Sequence, residues 1–231
     1  MKIPNLIFLL IIILSTSCNQ LSEENINSKL HDEKNVTNNN ADSIKKLNWP
    51  DETIIKSIKD YYQINYGKGA RLEENRNDST IEMTYYSIPD NKDDYDGHLI
   101  AIWIPLKKNM NLFAANPILE GDLNGDQIDD LILSVHTEGG GGGGNIWWQD
   151  LFVYIKENNG YKLMSVSSDK EISGCNGDFR AKEIKNNRLI GNSSCYTDDD
   201  PRCCPSLEYK TIIKFENNKL EYVSKERQIP N

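Results

Sequence analysis

Asp122, Asn124, Asp126 and Asp130 place side-chain oxygens at positions 1, 3, 5 and 9 of the segment Gly121-Asp122-Leu123-Asn124-Gly125-Asp126-Gln127-Ile128-Asp129-Asp130. Ile128 can add its backbone carbonyl at position 7. Oxygens at alternate positions of a tight loop converge on a hard cation, and calcium takes about six to eight of them at roughly 2.3–2.6 Å. Such an ion would relieve the mutual repulsion of Asp122, Asp126 and Asp130. Position 12 is Leu133, within an apolar run, so both the bidentate Glu and the exiting helix of an EF-hand are missing. No nucleophile stands beside the loop, so the expected role of the ion is structural. The competing reading is an Asx-rich turn closed by its own hydrogen bonds.

Gly139 to Gly144 are consecutive glycines, and Trp147 and Trp148 follow shortly after. No Lys-Ser or Lys-Thr ends the run, which excludes a phosphate-binding P-loop. One reading is a flexible connection between strands. The other is a ligand-contacting loop, in which bare backbone at Gly141 and Gly142 approaches a glycan or peptide while Trp147 and Trp148 supply a flat apolar surface. His31, His98 and His136 are isolated, and no Gly-x-Ser-x-Gly accompanies them. A binding role is therefore expected ahead of an enzymatic one. The catalytic alternative is a hydrolase drawing a carboxylate pair from Asp93, Asp94, Asp96 and Glu138.

Cys175, Cys195, Cys203 and Cys204 fall in the last quarter of the chain. An even number outside the cytoplasm reads as a disulfide framework. Adjacent Cα atoms lie about 3.8 Å apart, under the usual lower limit of about 4.4 Å for a bridge. Cys203 and Cys204 are therefore each expected to pair with Cys175 or Cys195, in either of two connectivities. Zinc is the rival, although the chain has no Cys-x-x-Cys.

The fifth cysteine, Cys18, follows Lys2, an apolar run from Leu6 to Leu14, and Ser15-Thr16-Ser17. The apolar run is too short to span a bilayer, and the pattern predicts a cleaved signal over residues 1–17. It resembles the lipobox of signal peptidase II substrates, with Ser15 where Leu is usual. That resemblance implies a bacterial lipoprotein, acylated (palmitate-type) at Cys18 and held in the cell envelope at the outer membrane, on its periplasmic face or at the cell surface. Ser22-Glu23-Glu24 resembles the export signals of some Gram-negative surface lipoproteins. The chain carries 26 Lys and Arg against 35 Asp and Glu, a net charge of −9, and loss of residues 1–17 removes only Lys2, giving −10. Such a surface disfavours nucleic acid and anionic headgroups, so membrane attachment rests on the lipid.

The elements that must position these groups follow a polar tether, residues 18–48, poor in apolar residues and rich in Asn, Glu, Lys and Ser. Residues 49–231 suffice for one domain. Asp51 is placed to cap a helix whose stripe is Ile54, Ile55, Ile58, Tyr61 and Tyr62. The period then becomes two at Ile81, Met83 and Tyr85, and Leu99 to Ile104 reads as a strand covered on both faces. Further strands are expected at 131–135, 151–155, 161–166, 179–184, 188–192, 209–215 and 220–224. Asn158-Asn159-Gly160, Asn186-Asn187 and Asn217-Asn218 predict hairpin turns. The expected class is α+β, mostly β: an N-terminal helix packed on an antiparallel meander or sandwich in a single domain.

Two further resemblances bear on this frame. Residues 122–130 are similar to the calcium loops of FG-GAP and VCBS-type β-proteins, with Gln127 in place of the usual Gly at position 6. Asp200-Pro201-Arg202-Cys203-Cys204-Pro205-Ser206, within 174–215, resembles the LppP/LprE-like lipoprotein family, which implies an exported, disulfide-bonded domain and no reaction. The expected function is a lipid-anchored, calcium-stabilised envelope binding or assembly module, whose partner is an envelope protein or glycan. The alternatives are the hydrolase above and an inhibitor or immunity-type protein whose acidic surface covers a basic site.

Overall fold

A computed structural model describes residues 49–88, 97–108, 116–139, 146–158, 160–201 and 203–228. Cys18, the leader, the tether, Asp93, Asp94, Asp96, Gly141 and Gly142 lie outside them. Helix α1 (Glu52–Tyr66) starts where the Asp51 carboxylate accepts the N–H groups of Thr53 and Ile54, at 2.9 and 3.2 Å. That satisfies donors which the first turn leaves orphaned. Ile54, Ile55, Ile58 and Tyr62 are buried and Tyr61 is half-buried, as the stripe predicts.

The helix lies against a seven-stranded antiparallel sheet. Its strands are β1 (Ala70–Arg76), β2 (Thr80–Ser87), β3 (His98–Pro105), β4 (Ile118–Gly121), β5 (Asp130–Gly139), β6 (Trp147–Glu157) and β7 (Gly160–Ser168). The order is β1-β2-β3-β5-β6-β7, with β4 also paired to β5. One helical turn, α2 (Asp169–Ile172), leads into a second antiparallel sheet of β8 (Gly177–Ile184), β9 (Arg188–Cys195), β10 (Leu207–Glu216) and β11 (Lys219–Arg227).

Strand periodicity sorts the core into two clusters. Leu131, Leu133, Val135, Phe152 and Tyr154 join α1, while Ile132, Leu151 and Val153 meet Phe179, Leu189, Ile213 and Leu220 of the small sheet. Strands β5 and β6 thus lie between two covered faces, which is why they read as continuous apolar runs. Strand β3 differs from expectation. Ile100, Ile102 and Ile104 enter the helix-side core, whereas the other face is only partly covered: Ala101 and Pro105 are buried, but Trp103 is half-buried and Leu99 is 45% exposed. The second-sheet cluster draws on β4, β5 and β6 and takes nothing from β3. The Asn pairs behave as predicted: Asn186 and Asn187 (φ 51° and 56°) and Asn217 and Asn218 (φ 52° and 61°) form the left-handed turns that match strand twist.

Candidate functional site

The 122–130 loop leads into β5 and closes largely on itself. Asp122 accepts the N–H groups of Gly125 (2.6 Å) and Gln127 (3.0 Å), Asn124 that of Asp126 (2.9 Å), and Asp126 that of Ile128 (2.8 Å). Partial burial opposes the charge on Asp122, but these N–H groups outweigh it and hold its carboxyl below the usual range. Asp130 is fully buried and receives the N–H groups of Leu123 and Lys156, each at 3.0 Å. Burial nevertheless pushes its carboxyl up.

Gln127 takes φ 68°, the conformation that glycine supplies cheaply at position 6 of the calcium pattern. A residue with a Cβ pays about 1–2 kcal/mol there. The loop thus has the turn the pattern needs. Its acids are not drawn together, however: among the described residues no three His, Cys, Asp or Glu side chains form a group that could hold a metal.

Trp147 and Trp148 do not form one surface, because successive residues of a strand point to opposite faces. Trp148 turns to the helix side, packs on the core and donates its indole N–H to Asp150 at 3.1 Å. Trp147 turns to the other face beside His136, with ring centroids 5.9 Å apart, and Trp103 approaches the same imidazole at 5.3 Å. His136 is 5% exposed, and burial pushes its imidazole below the ordinary value although Glu138 lies 3.2 Å from Nε2. Glu138 therefore sits against a buried His, while the other acids of the hydrolase reading are not described.

Trp147 also forms one wall of a cleft of about 500 Å³ with Lys170, Asp178, Arg180, Tyr196, Cys203 and Glu208 among its lining. Strand register builds its floor. Asp178 of β8 pairs with Ser194 of β9, which pairs with Glu208 of β10, so the three form one row across the outer face of the small sheet. Ser194 donates to Glu208 at 2.6 Å. Burial pushes the Asp178 carboxyl up, against the pull of Lys170 and Arg180. Two aromatic rings thus flank donors and acceptors of both signs. Such a surface suits an uncharged, hydroxyl-rich ligand better than an ion.

The cysteines correct the expected connectivity. Cys175 bonds to Cys195, with Cα atoms 5.9 Å apart, and Cys203 bonds to Cys204 across 3.8 Å. The register explains the first: Gly177 pairs with Cys195 at the start of the β8–β9 ladder, leaving Cys175 within reach. The second escapes the distance rule because that rule describes residues joined only through sulfur, whereas neighbours close a small ring through their own peptide. Cys203 and Cys204 are exposed, and Cys203 reaches the cleft.

Of the cleft residues Trp147, Cys175 and Cys203 stand out in the sequence as candidate contacts or bridges. Lys170 carried a readable signal, since Ser168 and Glu171 form a capping box that starts α2. Asp178, Arg180 and Glu208 carried none, because register alone assembles them. In comparisons with known proteins, no family model, curated protein or solved structure matches the chain.

Proposed function

We propose that the protein is a lipid-anchored module of the bacterial cell envelope that binds a glycan in the cleft beside Trp147, with calcium in the 122–130 loop as a structural ion. The carrying observation is the polar row Asp178, Ser194 and Glu208 flanked by the rings of Trp147 and Tyr196. Sugar rings offer apolar C–H faces to aromatics and hydroxyls to paired donors and acceptors, which is the chemistry these residues present. The lipidated Cys18 would keep this cleft at the envelope, where such polymers are concentrated.

The test titrates saccharide fragments prepared from the envelope into the full-length protein by calorimetry. Binding is expected, and Trp147→Ala should weaken it about tenfold, since losing a buried aromatic contact costs on the order of 1–2 kcal/mol. Absence of binding to every fragment, or an unchanged affinity in the variant, refutes the reading. Calcium is tested separately. Adding it in millimolar amounts to metal-free protein should raise the melting temperature, and Asp126→Ala should abolish the rise; coincident melting curves with calcium and with chelator remove the ion from the proposal.

A further inference from the structure

The other face of β6 carries a second concavity, of about 400 Å³, lined in part by Tyr61 and Tyr66 of α1, Trp148 and Asp150 of β6, and Lys170 and Glu171 of α2. Three aromatic rings and two carboxylates meet there. Asp150 is 7% exposed and is oriented by donors from Tyr62 (2.7 Å), Thr137 (3.1 Å) and Trp148 (3.1 Å). Tyr66 is held by stacking on Tyr62, at 6.1 Å between centroids, and Tyr61 by edge contact with Phe152 at 5.2 Å. The walls are therefore fixed by packing before any ligand arrives.

Charge supplies the direction. Burial pushes the Asp150 carboxyl up against the pull of its three donors, and Glu171 repels it further; the Tyr61 phenol is raised by burial first and then by both acids. Lys170 also lines the hollow and opposes a cation there, so the two carboxylates and the rings have to outweigh it. A cation entering the hollow would relieve the repulsion and rest against aromatic faces whose quadrupoles attract it. A metal ion or ammonium would lose much of its hydration there. A methylated ammonium holds water weakly and spreads its charge over apolar surface.

We propose that this hollow binds an organic cation of the quaternary ammonium class, recognised by Tyr61, Tyr66 and Trp148 and balanced by Asp150 and Glu171. The site lies on the α1 side of β6 and the cleft proposed for glycan beside Trp147 on the other; Lys170 lines both, and the two proposals otherwise rest on different residues. A trimethylammonium group could arrive as a free metabolite or as a lipid headgroup.

The experiment follows the Trp148 indole N–H resonance of the full-length protein by NMR, identified from its loss in Trp148→Phe, while tetramethylammonium chloride is added at constant ionic strength. A saturable shift is expected, with choline behaving alike and its neutral carbon isostere 3,3-dimethylbutanol binding at least about tenfold more weakly. Tyr66→Leu should weaken tetramethylammonium about tenfold. Glu171→Gln should weaken it several-fold while keeping the capping box, because Gln serves as well as Glu in that position. Sodium chloride producing the same shift, equal binding of the neutral isostere, or unchanged affinity in both Tyr66→Leu and Glu171→Gln each overturns the proposal. Vesicles of phosphatidylcholine set against phosphatidylglycerol then identify the source. Competition with tetramethylammonium by the former alone marks a headgroup, and competition by neither, with choline bound, marks a free ligand; either result supports the site.

Discussion

Asp169→Asn is expected to stabilise the protein by about 4 kcal/mol at about pH 8 and to leave it nearly unchanged at about pH 4. Asp169 opens α2 and is fully buried. Burial pushes its carboxyl up to about 7, overcoming the N–H groups of Gln149 and Lys170, and Asp178 nearby raises it further. One of its oxygens, Oδ2, lacks a hydrogen-bond partner among the described residues. The folded chain keeps a proton that the unfolded chain releases above about pH 4, so the stabilisation present below that value drains away until about pH 7 and is flat beyond. Asn stays neutral throughout and fits the same space. Urea unfolding of both proteins across this range measures the difference directly. Other buried acids titrate in both proteins, so only the gap between the two profiles counts, and parallel profiles would show that Asp169 ionises normally.

Replacing the Cys175–Cys195 bridge with a Ser pair is expected to cost about 3 kcal/mol, from the chain entropy released when a loop of that span opens. The span is 20 residues, and Cys195 is buried at the head of the β8–β9 ladder. The same change at Cys203 and Cys204 should cost little, because a bridge between neighbours constrains almost nothing in the unfolded chain. Denaturation midpoints of the two double variants test the contrast. Equal losses, together with peptide maps joining Cys175 to the Cys203-Cys204 peptide, would restore the crossed connectivity suggested by distance limits.

What the sequence made legible was what local chemistry dictates. Asp51 announced α1, the Asn pairs announced their hairpins, and the alternation Ile81, Met83, Tyr85 placed β2 in the core. Strand β4 escaped because Ile118–Gly121 is too short to show a period. Strand β1 escaped because its residues carry no buried face: only Ala70 is even half-covered. The cleft was legible at Trp147, at its cysteines Cys175 and Cys203, and through the capping box beside Lys170. Asp178, Ser194 and Glu208 lie far apart in sequence and meet only through the β8-β9-β10 register, which no local pattern encodes. Reading Trp147 and Trp148 as a pair failed for a plain reason: on a strand, adjacency in sequence means separation in space.

The exposed character of β1 bears on crowding. Among the described residues it is the edge of the large sheet and pairs with β2 alone, which leaves one side of its backbone ladder open to another chain. Open ladders template strand addition between copies of a chain. Arg71, Glu73, Glu74 and Arg76 occupy four of the seven positions of β1, so a second copy docking there would have to strip water from both signs of charge along its whole length. A strand that contributes little to the core thus carries the charges that disfavour edge-to-edge pairing.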